Sequence, residues 1–173
     1  MSSISPDASR AVLVREGDAE TIREPGRVIR LLADSSATGS ILSAQRITLL
    51  DGIDGAQPHH HAQSGELIYV VGGTLQLLIS DQVTTAREGD LAFVPPGLPH
   101  AFGAAPGADA DLLVVMTPGV ERFEYYRHLA RIVTGETIPE TLLAEQERYD
   151  NWFGASQAWD RARQRPWRPP AQA

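Results

Sequence analysis

The chain has 173 residues, 42% hydrophobic and 21% charged, which is the size and composition of one globular domain with extensions. A net charge of −7 argues against nucleic acid or an anionic membrane surface as a partner. There is no cysteine, which excludes disulfides, zinc–thiolate sites, Fe–S clusters and cysteine nucleophiles; any metal must be held by histidine and carboxylate.

Residues 1–10 are serine-rich and read as a flexible tail, without the basic-then-apolar pattern of a signal peptide. No apolar run reaches the length of a membrane span, so a cytoplasmic location is expected. Ala11-Val12-Leu13-Val14 predicts a first strand, residues 27–32 a second and residues 41–50 a longer third. Asp51-Gly52-Ile53-Asp54-Gly55 is turn chemistry. After a histidine-rich segment, residues 67–71 are β-branched and aromatic, Gly72-Gly73 reads as a hairpin turn, and residues 74–80 as its partner strand. Short strands follow at residues 83–86, 91–94, 100–102 and 111–117, with Pro95-Pro96-Gly97 forcing a loop between two of them. Short strands at close, even spacing, with no room for a crossover helix, predict a sandwich or barrel.

At Pro118-Gly119 the period changes. Val120, Phe123, Tyr126, Leu129, Ala130 and Val133 follow helical spacing, with Glu121 and Glu124 early and Arg127, His128 and Arg131 late, as suits the helix dipole. A second helix is expected from Pro139 to about Trp152, and a short helical turn within 158–164. The expected organisation is a tail at 1–10, a β-barrel at 11–117 with its core at 41–117, a helical extension at 118–164, and a proline-rich tail at 165–173 whose Trp167 docks on the core or on a partner subunit.

Chemistry concentrates in Pro58-His59-His60-His61-Ala62-Gln63-Ser64-Gly65-Glu66 and in His100. Side chains at i and i+2 of a strand share a face, so His59 and His61 point one way and His60 the other. Glu66 would fall on the wrong face of an unbroken strand, but residues 62–65 interrupt it and let Glu66 restart inward beside Ile68 and Val70. Taken singly, each of these residues fits a surface loop or turn; their joint spacing points to one metal site. Phe93, Phe102 and Met116 are candidates for the substrate pocket, and Phe102 shares parity with His100. His128 is expected at a helix surface and Arg46 in an edge salt bridge.

These spacings resemble the paired motifs of the cupin superfamily. The first motif, His-x-His, four residues, Glu, six residues, Gly, is met by His59, His61, Glu66 and Gly73. The second, Gly, five residues, Pro-x-Gly, two residues, His, is met by Gly89, Pro95, Gly97 and His100. The short interval of fifteen residues between them is similar to that of single-domain bacterial cupins. Two positions depart from the pattern: Ile53 stands where the first motif opens with Gly, which lies one residue earlier as Gly52, and Ala104 stands where the second closes with Asn.

The resemblance implies an all-β cupin jelly-roll barrel followed by C-terminal α-helices. It implies one divalent transition metal (Fe, Ni, Mn, Co, Cu or Zn) held by His59, His61, Glu66 and His100. The segment Thr117-Pro118-Gly119-Val120-Glu121-Arg122-Phe123 is similar to a stretch of quercetin-dioxygenase-like monocupins. The function expected is an oxygenase acting on a small, apolar, enol- or phenol-type molecule, with Glu66 doubling as catalytic base. The alternatives are a non-redox cyclase or isomerase of polyketide-type substrates, and a binding cupin without turnover. A homodimer is the expected assembly.

Overall fold

The computed structural model describes residues 11–163; the expected tails and Trp167 lie outside the described residues. Nine strands come first: β1 (Glu20–Glu24), β2 (Arg27–Ala33), β3 (Ser43–Leu49), β4 (Asp54–His60), β5 (Gly65–Ile79), β6 (Gln82–Arg87), β7 (Leu91–Val94), β8 (His100–Ala104) and β9 (Ala110–Thr117), with a one-turn helix, α1 (Ser35–Thr38), between β2 and β3. The extension holds α2 (Arg122–Val133), α3 (Pro139–Leu143), α4 (Gln146–Tyr149), a two-residue strand β10 (Trp152–Phe153) and α5 (Gln157–Ala162).

All pairings are antiparallel, in the order β1-β2-β3-β9-β5-β8-β4-β10, with β6 and β7 also on β5. The 15-residue β5 is the hinge of this architecture. Its first half pairs with β9 and β7, its second half with β6 and β8, so one strand serves two sheets. The two sheets enclose the core as in a jelly roll. Gly72-Gly73 is therefore not a hairpin turn. It is a kink inside β5, where the register with β9 slips between Val70 and Gly72. Gly73 has φ +77, and a Cβ there would lie 2.1 Å from the Asp109 carbonyl oxygen, so the bend requires glycine.

Directly paired residues share a face, and the register stacks the interior into rungs. Ser43, Met116, Glu66 and Val94 form one rung across β3, β9, β5 and β7; Gln45, Val114, Ile68 and Ala92 form the next. Ile47, Leu112 and Val70 continue the interior with ordinary apolar core.

Three local expectations change. Residues 11–14 are irregular and exposed, and the first strand is instead β1, whose charged Glu20, Arg23 and Glu24 masked it. The helix expected over 139–152 breaks after Leu143 and again at Asp150, which takes a left-handed conformation with φ 47; Trp152 and Phe153 then join β4 as a strand. His128 is buried rather than superficial: its Nε2 is 2.7 Å from the Thr141 hydroxyl and its ring packs on Tyr149. Arg46 does make a salt bridge, to Asp111 at 2.5 Å, but on β3, which is paired on both sides, and not at a sheet edge.

Candidate metal centre

β4 and β8 pair with His59 directly opposite His100, and His61 lies one residue past the end of β4. The three imidazoles are buried and nearly touch, with ring centroids 4.3 to 5.2 Å apart. Glu66, the second residue of β5, places Oε2 at 2.5 Å from His100 Nε2, 3.4 Å from His61 Nε2 and 4.0 Å from His59 Nε2. His60 faces away and stacks on Trp152, as strand parity requires.

The rings are aimed by backbone carbonyls. His59 Nδ1 donates to Gln57 O at 2.7 Å, His100 Nδ1 to Leu98 O at 2.9 Å, and His61 Nδ1 to Asp150 O. A proton committed at Nδ1 leaves Nε2 as the ligand atom, so three lone pairs converge on one carboxylate. The proline loop takes part, because Gly97 N–H donates to His61 O at 2.7 Å and so ties that loop to the histidine segment.

One ligand atom from each of the four residues can be chosen so that all lie within 4.8 Å of one another. Metal–ligand bonds of about 2.0–2.2 Å place ligand atoms roughly 3 Å apart when adjacent and roughly 4 Å when opposite, so this donor set suits a divalent transition metal. The electrostatics agree at His59 and Glu66. Burial, then the neighbouring His100 and His61, push His59 well below its ordinary pKa, which favours the neutral ligand form. Burial alone would raise the Glu66 carboxyl, but without a metal the His100 and His61 rings, when protonated at Nε2 as well as Nδ1, donate to it and hold it well below the usual range. Burial likewise opposes charge on His100, yet its bond to Glu66 raises it.

The pocket candidates divide. Phe102 and Met116 are buried, and Met116 sits beside Glu66 on the same rung. Phe93 faces the other way: Val94 pairs with Glu66, which leaves Phe93 and its partner Leu67 on the outer surface, where Phe93 covers Gly65 and is 53% exposed. Parity in β7, counted from Val94, excludes it from the pocket. Tyr69, Val71 and Leu91 join it on this exposed apolar face.

Several residues at the site escaped the reading by motif. Asp150 accepts the backbone N–H groups of Ala62, Gln63 and Ser64, at 2.7 to 3.2 Å, so it organises the loop that resets the strand before Glu66. Arg122 is 3% exposed, with its guanidinium 4.1 Å from the Tyr125 ring centroid. Ser43, Gln45 and Asn151 are fully enclosed. Parity could have found Gln45, which shares the inner face of β3 with Ile47 and Leu49. Helical spacing could have found Arg122, in line with Tyr125, Tyr126 and Leu129.

With fold and site in view, comparison with known proteins identifies the class. Residues 46–116 match the family described as Cupin domain, so the barrel at the centre of the chain is a cupin domain. Over 99 residues, 56% of this chain, it is 31% identical to a quercetin 2,3-dioxygenase of Bacillus subtilis (strain 168), and the aligned part is only 28% of that protein's length. An RmlC-like cupin from Shewanella frigidimarina superposes with a TM-score of 0.55 at 22% identity, over 64% of this chain and 93% of its own, which supports the fold alone. The polyketide cyclase RemF from Streptomyces resistomycificus superposes with a TM-score of 0.52 at 25% identity, over 63% of this chain and 80% of its own.

Proposed function

We propose that the chain is a metal-dependent oxygenase acting on a small enol- or phenol-type molecule, with His59, His61, Glu66 and His100 as the metal ligands. The observation that carries this reading is the convergence of three Nδ1-anchored imidazoles and one carboxylate in a buried interior. A redox metal held by these four residues would supply Lewis-acid and electron-transfer chemistry to a substrate oxygen and dioxygen. Glu66, whose Oε2 lies among the three imidazoles, takes the hydroxyl proton of the substrate. Met116 and Phe102 give the adjoining wall its apolar character and exclude water.

The similarity to a quercetin dioxygenase favours oxidation. The likeness to a polyketide cyclase keeps a non-redox reading as the alternative, in which the same ligands hold a metal that polarises a carbonyl. Oxygen-electrode assays decide between them, with protein reconstituted separately with Fe(II), Mn(II), Co(II), Ni(II) and Cu(II), and with quercetin and a panel of enols and phenols as substrates. Oxygen consumption above the metal-only control is expected; none with any metal across the panel overturns the oxygenase. In the same reading the protein is a cytoplasmic homodimer joined through the outer apolar face of Tyr69, Val71, Leu91 and Phe93, which light scattering at twice the monomer mass would support.

A further inference from the structure

Four enclosed polar side chains around the candidate metal centre have no partner for some or all of their hydrogen-bonding atoms among the described residues. Both amide atoms of Gln45, both of Asn151, the Ser43 hydroxyl, and Nε and Nη1 of Arg122 are in this condition. Buried polar atoms are nearly always paired, so several orphans in one place call for a missing partner.

Their placement is common to all four. Ser43 lies on the rung of Met116 and Glu66, and Gln45 lies on the next rung of the same inner face. Continuing the β10–β4 register by one residue sets Asn151 against His61, on the face that His61 turns inward. Arg122 follows the segment that crosses the same end of the sheet: Ser64 Oγ donates to Pro118 O at 2.8 Å, and Gly119 packs on the backbone of Leu42, next to Ser43. The Arg122 charge is felt at both His100 and Glu66. Tyr125 and Tyr126 flank the guanidinium as neutral phenols; they offer ring faces and, from Tyr126, a hydroxyl in hydrogen-bond contact, but no negative charge. With a divalent cation held by Glu66, the neighbourhood would carry that cation and an arginine against one carboxylate. The charge that is missing is negative.

We propose that Arg122, Gln45, Ser43 and Asn151 form a recognition subsite for an anionic oxygen group of the substrate, so that the molecule is an oxygen-rich enol or phenol acid rather than a purely apolar one. This rests on the oxygenase reading only for where the ligand sits. Arg122 supplies charged donors to the anion. Gln45 and Asn151 each offer one donor and one acceptor group for neighbouring hydroxyl or carbonyl oxygens, and Ser43 either role. The tyrosine faces hold the guanidinium in place.

The test uses full-length protein loaded with zinc, which binds without turnover. Salicylate and its uncharged isostere salicylamide are titrated by calorimetry, with zinc content measured in parallel. Wild type is expected to prefer salicylate by about tenfold or more, as a charge-assisted contact in a buried site allows. Arg122→Met is expected to abolish that preference with zinc content unchanged. Gln45→Met, of similar shape and without polar atoms, is expected to weaken both ligands while raising the melting temperature of the ligand-free protein, because it removes orphaned amide atoms. Salicylate affinity unchanged in both variants overturns the subsite. Absence of oxygen uptake with these results intact would sink the oxygenase and leave the subsite standing; normal uptake with no effect of either variant would do the reverse.

Discussion

The backbone carbonyl of Asp150 accepts the Nδ1 proton of His61, 89 positions away in sequence, while the Asp150 carboxylate gathers three consecutive N–H groups just beyond that histidine. One residue of the helical extension thus sets both the tautomer of a candidate ligand and the loop leading to Glu66. The extension is part of the site, not an appendage to the barrel.

Asp150→Asn tests this coupling. An amide retains one acceptor oxygen and sets an NH2 group against N–H donors. Unpaired buried donors cost about 1–3 kcal/mol each, so a stability loss of that size is expected in urea unfolding. Loss of an outer support of this kind typically lowers metal affinity roughly 10- to 100-fold, measurable by competition with a chelator. An unchanged affinity would show that the loop holds its shape without Asp150.

The four proposed ligands give a direct expectation. His59→Ala, His61→Ala and His100→Ala should each lose most bound metal in elemental analysis, because each deletes one Nε2 donor from a set confined within 4.8 Å. His60→Ala should retain it, since His60 stacks on Trp152 outside the cluster. Loss of metal from the His60 variant alone would refute the strand parity on which the site is built.

The clasp between α2 and β1 has a defined pH dependence. Arg127 Nη2 lies 2.5 Å from Glu20 Oε2, and this hydrogen bond holds the Glu20 carboxyl below its ordinary value. A folded pKa below the unfolded one stabilises the fold above the unfolded value, about 4.3, and the benefit is lost as pH falls through the folded pKa. Both groups are more than one-third exposed, so solvent screening keeps the contribution to about 0.2–1 kcal/mol. Glu20→Gln should therefore lower stability slightly at neutral pH and lose this part of the acid dependence. An identical pH profile in thermal melts of variant and wild type would remove the clasp from the account.

The four-residue cluster was legible because strand parity and motif spacing act over short range. His59 and His61 need only a two-residue alternation, and the break at residues 62–65 announces itself in composition. Asp150, Asn151 and Arg122 were not legible by that route. They reach the site through long-range packing of the extension, which local periodicity does not encode. Phe93 misleads for a simpler reason: its place in the strand before the proline loop says nothing of parity, and the face of β7 is set by Val94 against Glu66. Gln45 was within reach, as a polar residue on an inward strand face, but no motif drew attention to it.

Gly73 shows where a correct motif was attached to the wrong geometry. The glycine closing the first motif reads as a turn former, yet β5 continues through it, kinked but unbroken, into the second sheet. What requires glycine is both the φ of +77 and the Asp109 carbonyl, 2.1 Å from where a Cβ would stand. Gly89, opening the second motif, has φ +89 but nothing within 4 Å of its would-be Cβ. Conformational strain alone costs about 1–2 kcal/mol, so Gly89→Ala should fall in that range, and Gly73→Ala should exceed it because the backbone of the β5–β9 pairing must also move. Urea midpoints at constant slope measure the difference. Equal losses at the two positions would mean that the kink in β5 relaxes freely, and that the join between the two sheets is softer than its register implies.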